Sequence, residues 1–394
     1  MEPKIRFKGF EGEWKALPIT EIASLKAGKS FNKLDAVDTP TTGYYPCYGG
    51  NGQRGYLPYY NQNGKYNIIG RQGALCGCVN VAEGKFYATE HAVIVTPITV
   101  TDFEFLHESL VRANINQYAT GAAQPGISVT NVNSQLSLNY PLYEEQKAIG
   151  KYFTSLDSQI SASTSRLASL KQMKAASLQA MFPQEGETVP KVRFKGVEGE
   201  WKKVVIGNIG STYSGLSGKG KGDFGIGEAK YITFLNVLTN AQIDTSILEN
   251  VDIKEFEHQN EVKKGDLLFN TSSETPEEVG MCSVLDEEVE NVYLNSFCFG
   301  FRITNSCVYP KYIAYLMRSD IGRRIMAILA QGATRFNLSK KYLCKAEIPI
   351  PISIEEQQAI ASYFTSLDHQ ITLQTHRLEK LKQIKSACLD KMFV

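Results

Sequence analysis

The chain has 394 residues, 42 Lys+Arg against 41 Asp+Glu, 43% hydrophobic and 21% charged residues. At about 100 to 200 residues per domain there is room for two or three domains, each able to bury a core, and collagen-like, mucin-like and fully disordered chains are excluded. A net charge of +1 is not that of a strongly basic nucleic-acid-binding domain, yet between residues 22 and 82 Lys26, Lys29, Lys33, Arg54, Lys65 and Arg71 stand against only Asp35 and Asp38. A basic face on a neutral whole is therefore open.

Met1 to Gly12 carries Lys4, Arg6 and Lys8 without an apolar signal-peptide core, and no later run reaches the roughly 18 apolar residues of a membrane helix. A cytosolic protein with no membrane contact is expected. The eight cysteines, at 47, 76, 78, 282, 298, 307, 344 and 388, show no paired metal-ligand rhythm, so reduced thiols and no metal are expected.

The chain opens on a segment that recurs. Pro3–Ala23 (PKIRFKGFEGEWKALPITEIA) and Pro190–Gly210 (PKVRFKGVEGEWKKVVIGNIG) agree at 13 of 21 positions. Glu144–Phe182 and Glu355–Phe393 form a second pair, identical at 24 of 39 positions. Between the opening and the closing segment of each copy, from Ser24 to Tyr143 and from Ser211 to Ile354, no sustained alignment exists between the two copies. Similar, variable, similar, twice over, describes common scaffolding that presents two different surfaces, which points to recognition of two different things. The expected domains are 1–143, a helix over 144–182, a linker over 183–189, a second domain over 190–354 and a helix over 355–394.

In the first variable segment, Lys65–Ile69, Val79–Val81 and Ala92–Val95 are β-rich, and Phe103–Asn116 is predicted helical. Tyr44–Tyr60 (YYPCYGGNGQRGYLPYY) is predicted to be a loop that interleaves Tyr48 and Tyr56 with Asn51, Gln53 and Arg54 among glycines. Asn or Gln pairs bidentately with adenine and Arg with guanine, while glycines let backbone approach a groove wall. A Gly-rich turn with aromatic packing is the alternative. Arg71 and Gln72, between Gly70 and Gly73, carry the same two readings.

The first closing segment has apolar residues at Ile149, Phe153, Leu156, Ile160, Leu167 and Leu170, and its repeat has Ile360, Phe364, Leu367, Ile371, Leu378 and Leu381. Spacings alternate four and three, a heptad seam. Ser163 and Lys174, with Gln374 and Lys385 in the repeat, are polar seam positions that could fix register. Thirty-nine helical residues make a rod of roughly 58 Å. Ser353 and Glu356 predict a capping box on the second helix. Two matching rods favour antiparallel pairing within the chain; packing of each on its own domain, or pairing between chains, is the alternative.

In the second variable segment, Lys230–Leu235, Asp266–Phe269 and Ser296–Ile303 read as strands, and Tyr309–Ala330 as one helix with Ile313, Leu316, Met317, Ile321 and Ile325 on its buried face. Both variable segments are thus mixed α/β. Lys219, Lys221 and Lys230 flank a Gly-rich stretch able to track phosphates, although it lacks the P-loop spacing. Asn270, Thr271 and Ser272 form a polar run expected to be exposed, and Arg335 and Asn337 precede Lys340 ahead of the second rod. Solvated surface is the alternative for each lysine taken alone. No amino-methyltransferase stretch, clustered nuclease carboxylates or histidine ligand spacing is present.

Together the alternation of variable domain and heptad helix, the Glu-Glu-Gln that opens each helix after Pro141 or Pro351, the openings Glu13-Trp14-Lys15 and Glu200-Trp201-Lys202, and Gly332-Ala333-Thr334-Arg335 resemble the specificity subunit of bacterial type I restriction-modification enzymes. The likeness covers essentially the whole chain. It implies an α/β (α+β) architecture with two mixed α/β target-recognition domains, separated by two long antiparallel coiled-coil helices in a pseudo-twofold repeat. It implies that the chain is non-catalytic by itself and reads a bipartite, asymmetric double-stranded DNA target. Two methyltransferase subunits would supply S-adenosylmethionine chemistry on adenine, and restriction subunits would use ATP and Mg to translocate and cleave DNA. No cofactor is then expected in this chain. The first domain departs from the pattern: Gly121-Ala122-Ala123-Gln124-Pro125 stands where the second has Gly332-Ala333-Thr334-Arg335-Phe336, so Arg335 has no equivalent there. A free-standing endonuclease and a protein-binding coiled-coil adaptor are the other function classes.

Overall fold

The computed structural model describes residues 2–73, 75–121 and 125–394. It divides into two compact units, one of residues 1–165 with 375–394 and the other of residues 166–374. Each unit thus holds one variable domain, the beginning of one long helix and the end of the other.

In the first unit the conserved opening becomes the strand Lys15–Pro18, which pairs antiparallel with Ser137–Tyr140 just ahead of the long helix Tyr143–Ala180. Between them lies an antiparallel sheet in the order Ala23–Ala27, Ala92–Pro97, Tyr66–Gly70, Val79–Ala82. A second sheet has the order Gly52–Leu57, Tyr45–Gly49, Lys85–Ala88, Gln62–Asn63. The expected Tyr44–Tyr60 loop is therefore mostly a hairpin, with Cys47 and Leu57 buried under it. Period-two burial outweighs the glycine content there. Asp102 caps the helix Phe103–Arg112 through its carboxylate, 2.9 Å from the Phe105 amide. Ile22, Leu25, Ile69, Val93, Val95, Leu106 and Leu110 form the core between sheet and helix.

The second unit repeats this plan on unrelated residues. Lys202–Val205 pairs with Glu347–Ile350 ahead of the long helix Ile354–Met392. An antiparallel sheet has the order Gly210–Ser214, Cys298–Ile303, Leu267–Asn270, Cys282–Val284. A smaller sheet joins Glu249–Val251, Phe224–Ile232 and Val292–Leu294. The single helix expected over Tyr309–Ala330 is two helices, Pro310–Arg318 and Asp320–Leu329. At Ser319 the backbone is extended, and its hydroxyl donates to Leu316 O and accepts from the Gly322 amide. That local competition ends one helix and caps the next. The remainder of the predicted Lys230–Leu235 strand also turns helical, from Phe234 to Thr239.

Burial along both long helices follows the heptad seam. Ile149, Phe153, Leu156, Leu170, Ile360, Phe364, Leu367 and Leu378 are buried, and Ile160, Leu167, Ile371 and Leu381 are partly so. Within each unit the two helical stretches run antiparallel. In the first, Tyr152 OH lies 3.4 Å from Cys388 Sγ and Lys385 Nζ 2.7 Å from Asp157; in the second, Ser177 Oγ lies 2.9 Å from Tyr363 OH and Lys174 pairs with Asp368. The polar seam lysines thus each take an aspartate at the equivalent repeat position.

The Glu-Glu-Gln motifs join opening segment, helix and domain. Glu145 and Glu356, both 2% exposed, accept bidentate bonds from Arg6 (2.7 and 2.8 Å) and Arg193 (2.6 and 2.8 Å). The following Gln146 and Gln357 donate to Pro141 O and Pro351 O, and their carbonyls accept from the Asp102 and Tyr309 amides at the start of each domain helix. Of the predicted capping box only half forms, the Glu356 amide donating to Ser353 Oγ at 3.2 Å. Arg193 and Trp201 occupy the Glu356 carboxylate instead. All eight cysteines are unpaired, and among the described residues no helix is long and apolar enough to cross a membrane.

Candidate nucleic-acid interface

In each domain one end of the central sheet strand runs into a short ladder of three segments. In the first, the strand Tyr66–Gly70 continues into Arg71-Gln72-Gly73. The Arg71 amide donates to His91 O (2.8 Å) on one side, and the Ile127 amide donates to Arg71 O (2.8 Å) on the other. Gln72 bridges Gly126, and the Gly73 amide reaches Pro125 O at 3.1 Å. The hairpin Tyr45–Leu57 closes against this ladder. A Cβ on Gly70 would lie 2.0 Å from Gly50 O, and one on Gly50 would lie 2.3 Å from Gln72 O. Only glycine fits at either place.

The result is a concavity of about 360 Å³ lined by Gly49, Gly50, Asn51, Arg54, Gln72, Gly73 and His91. Four of these bring hydrogen-bonding side chains, and Asn51, Arg54 and Gln72 are exposed. The structure thus gathers Asn51 and Arg54 with Gln72 across about 20 residues of chain. Gln53 is exposed on the hairpin but does not line the concavity. Arg71 is half-buried and turned along the ladder, with Nε 3.4 Å from Ile127 O and Nη1 3.4 Å from Glu90 O. The tyrosines follow the alternative of aromatic packing: Tyr48 meets Phe86 edge-on at 5.5 Å, burial raises its pKa, and Tyr56 is only half-exposed. Lys26, Lys29 and Lys33 are exposed, on the edge strand and the turn that follows it.

In the second domain the strand Leu267–Asn270 continues into Thr271-Ser272-Ser273. The Thr271 amide donates to Phe297 O (3.0 Å), and the Leu338 amide donates to Thr271 O (2.8 Å). Ser272 pairs with Asn337 and Ser273 with Phe336. This is the ladder of the first domain with other side chains: Thr271 stands for Arg71, Ser272 for Gln72, Phe297 for His91 and Asn337 for Gly126. Arg335 is exposed at the turn before Phe336, and its carbonyl accepts from Asn337 Nδ2 at 3.1 Å. Gln124, at the matching place, lies outside the described residues together with Ala122 and Ala123.

The exposed run expected at Asn270–Ser273 is a correction. Asn270 is fully buried, Ser272 and Ser273 are nearly so, and Thr271 is half-buried. Asn270 Nδ2 donates to Glu278 O (2.9 Å) and its carbonyl accepts from the Met281 amide (2.6 Å), so it braces the loop between the strands. Lys219 is likewise turned inward: its side chain is 2% exposed and Nζ lies 2.5 Å from both Glu257 and Asp252 O. That hydrogen bond lowers the Glu257 pKa. An ammonium so engaged is not presented to a phosphate. Lys221 and Lys230 are exposed but belong to the smaller sheet and the turn before it. Lys340 Nζ donates to Ser214 Oγ at 2.6 Å. His91 and Phe297 were not singled out in the sequence; the signal available was Thr-x-His and Asn-x-Phe ahead of a strand, too short to notice without the ladder.

Comparison with known proteins follows the same division. A family model described as "Type I restriction modification DNA specificity domain" matches residues 11–172 and again residues 199–383. The chain is 38% identical over 154 residues to the type I restriction enzyme EcoprrI specificity subunit of Escherichia coli, a match that covers 39% of this chain and 38% of that one. It is 25% identical over 169 residues to a putative type I restriction enzyme MjaX specificity subunit of Methanocaldococcus jannaschii, covering 41% and 38%. The chain thus spans about two-fifths of the length of these relatives. Among solved structures, the type I restriction-modification S subunit from M. genitalium aligns over 100% of this chain and 99% of its own, with a TM-score of 0.67 and 17% identity. A structure described as concerning complex assembly and conformational transition of the type I R-M system aligns over 97% and 98%, with a TM-score of 0.53 and 14% identity. With both matched stretches together spanning most of its length, the chain belongs to the family of type I restriction modification DNA specificity domains and carries two of them in tandem.

Proposed function

We propose that this chain is the sequence-reading component of a type I restriction-modification complex, in which each domain reads one half of a bipartite, asymmetric duplex target. The observation that carries this is the ladder built twice with different letters. One backbone frame presents Gln72 and His91 in the first domain, with Asn51 and Arg54 closing on it from the hairpin, and Thr271, Phe297 and Asn337 in the second, with Arg335 at the adjoining turn. Different donors and acceptors on one frame read different base edges, a good bidentate pair discriminating by about 1 to 3 kcal/mol. The exposed lysines at 26, 29, 33, 221 and 230 would add contacts to phosphates that carry no sequence information.

We infer the remaining parts of the complex together with that reading. Two methyltransferase subunits would bring S-adenosylmethionine chemistry to adenine in each half-site, and restriction subunits would bring ATP, Mg and cleavage. Much of the phosphate contact would be theirs, consistent with a chain of near-zero net charge. The long helices would dock these partners and fix the spacer between half-sites. Four residues inserted near Ala175, about one helical turn of 5.4 Å, are expected to lengthen the preferred spacer by one or two base pairs; an unchanged spacer would rule out that role.

The test of the whole proposal is methylome sequencing of a methylation-deficient host carrying this chain with its neighbouring methyltransferase, beside a control without this chain. A single split motif with methyladenine in both halves, dependent on the chain, is the expected result. Arg335→Ala is then expected to relax the half-site of the second domain alone, by about 1 to 3 kcal/mol at the base concerned. No new methylation from an assembled complex would favour a protein-binding adaptor.

A further inference from the structure

Among the polar residues of the second ladder stands a side chain of the opposite character. Phe297 is 58% exposed, and its backbone is firmly held. Asn295 Oδ1 accepts from the Phe297 amide (2.8 Å), the Cys298 amide donates to Asn295 O (3.0 Å), and the Phe297 carbonyl takes both the amide and the hydroxyl of Thr271 (3.0 and 2.8 Å). The first domain builds the same turn. Thr89 Oγ1 accepts from the His91 amide (3.3 Å), the Ala92 amide donates to Thr89 O (2.9 Å), and the His91 carbonyl takes the Arg71 amide (2.8 Å). A ring is therefore presented twice at one point of the ladder: an imidazole beside Asn51, Arg54 and Gln72 in one domain, a phenyl beside Thr271 and one segment from Asn337 in the other.

A half-exposed phenyl in a fixed turn forgoes burial that its apolar area would favour. It also has no hydrogen-bond donor or acceptor, so on a groove floor it distinguishes bases only by apolar contact. On the major-groove edges of unmodified DNA the 5-methyl group of thymine is the apolar feature. We propose that Phe297 reads a thymine 5-methyl group in the half-site bound by the second domain. The inference rests on the DNA-reading function given above and names one of its contacts. The same methyl chemistry is offered by 5-methylcytosine, so the two sources need separating.

The experiment measures binding of the full chain, assembled with its methyltransferase subunits, to duplexes carrying its methylated motif in unmethylated form. Each thymine of the second half-site is replaced in turn by uracil, which lacks only the methyl group. At one position uracil is expected to weaken binding about fourfold, the loss that one buried methyl group gives. Phe297→Ala is expected to bind the thymine duplex more weakly by a similar factor and to be indifferent to uracil there, while Phe297→Leu keeps the preference. Cytosine and 5-methylcytosine at that position complete the set, and a gain on methylating cytosine would assign recognition to the methyl group irrespective of base. Specific binding that ignores uracil at every thymine of that half-site, or a half-site without thymine on either strand, overturns the proposal and leaves DNA reading intact. Absence of any sequence-specific binding by the unaltered complex overturns the DNA-reading function and the proposal with it.

Discussion

Replacing Arg318 by methionine is expected to destabilise the second domain by roughly 4 kcal/mol. The side chain closes the helix Pro310–Arg318 and is half-buried; burial lowers its pKa, and a guanidinium keeps its charge at neutral pH. Its hydrogen bonds go to backbone oxygens and one hydroxyl. Nε donates to Cys282 O at 2.7 Å, and Nη2 donates to Val237 O at 2.7 Å and Asn240 O at 2.6 Å, with Leu238 O and Ser283 Oγ at 3.3 Å. Three of those carbonyls end the helix Phe234–Thr239, whose last oxygens have no intrahelical donor. Methionine fills a similar volume with no donor, and each stranded buried acceptor costs about 1 to 3 kcal/mol. Urea unfolding followed through Trp201, in a chain carrying Trp14→Phe, measures the loss. Lysine at 318 should fall between, because a point charge cannot span oxygens that a planar fork reaches. A methionine variant less than about 1 kcal/mol weaker would mean the loop oxygens find water instead.

Lys385→Met is expected to cost the first unit about 3 kcal/mol at pH 8 and distinctly less at pH 5. The ammonium lies 2.7 Å from Asp157 and 2.9 Å from Glu108, a carboxylate only 2% exposed. Burial raises the Glu108 pKa, while the Lys385 hydrogen bond and charge hold it down against Asp157. For Lys385 burial works toward a lower pKa, and the two carboxylates outweigh it and raise the value. Without the lysine, Glu108 faces Asp157 unpaired. A carboxyl group whose folded pKa lies above its unfolded value destabilises fully above the folded pKa, and the penalty fades as pH falls through that value. The Lys385 contribution is present below the ordinary lysine pKa and lost only at more alkaline pH, so it does not vary between pH 5 and 8. His107, whose pKa is lowered by burial and then by Lys385, moves the same way as Glu108 when the lysine is removed. Glu108→Gln in the Lys385→Met chain should restore most of the stability at pH 8. Lys174→Met makes a control, because Asp368 there accepts from the phenol of Tyr315 (3.0 Å) where the first unit has a second carboxylate. Equal losses for Lys385→Met at both pH values would refute the electrostatic account.

Legibility in the sequence tracked the range of the interaction. The heptad seam was readable because each helical position is decided by neighbours three and four residues away. Strand positions near Tyr66–Gly70, Ala92–Pro97 and Cys298–Ile303 were readable from β-branched and aromatic runs, but the Tyr45–Leu57 hairpin was hidden by its glycines. The break at Ser319 was missed because one hydroxyl competing for backbone groups leaves no mark on hydrophobic periodicity. Site residues were the least legible. Asn270 and Lys219 look like surface residues in sequence, and their burial depends on Met281, Glu278, Glu257 and Asp252, none of which lies beside them in the chain.

The sequence by itself determined that one scaffold occurs twice, that each copy ends in a long seamed helix, and that the segments between have diverged. Repetition and period are properties of order along the chain, so they survive without coordinates. Only the tertiary structure decided that the diverged segments share one sheet order, and that both sheets end in the same three-segment ladder. Pairing between strands far apart in sequence is made by backbone groups common to all residues, so two segments can keep the same pairing while their side chains, and hence the surfaces they present, become wholly different.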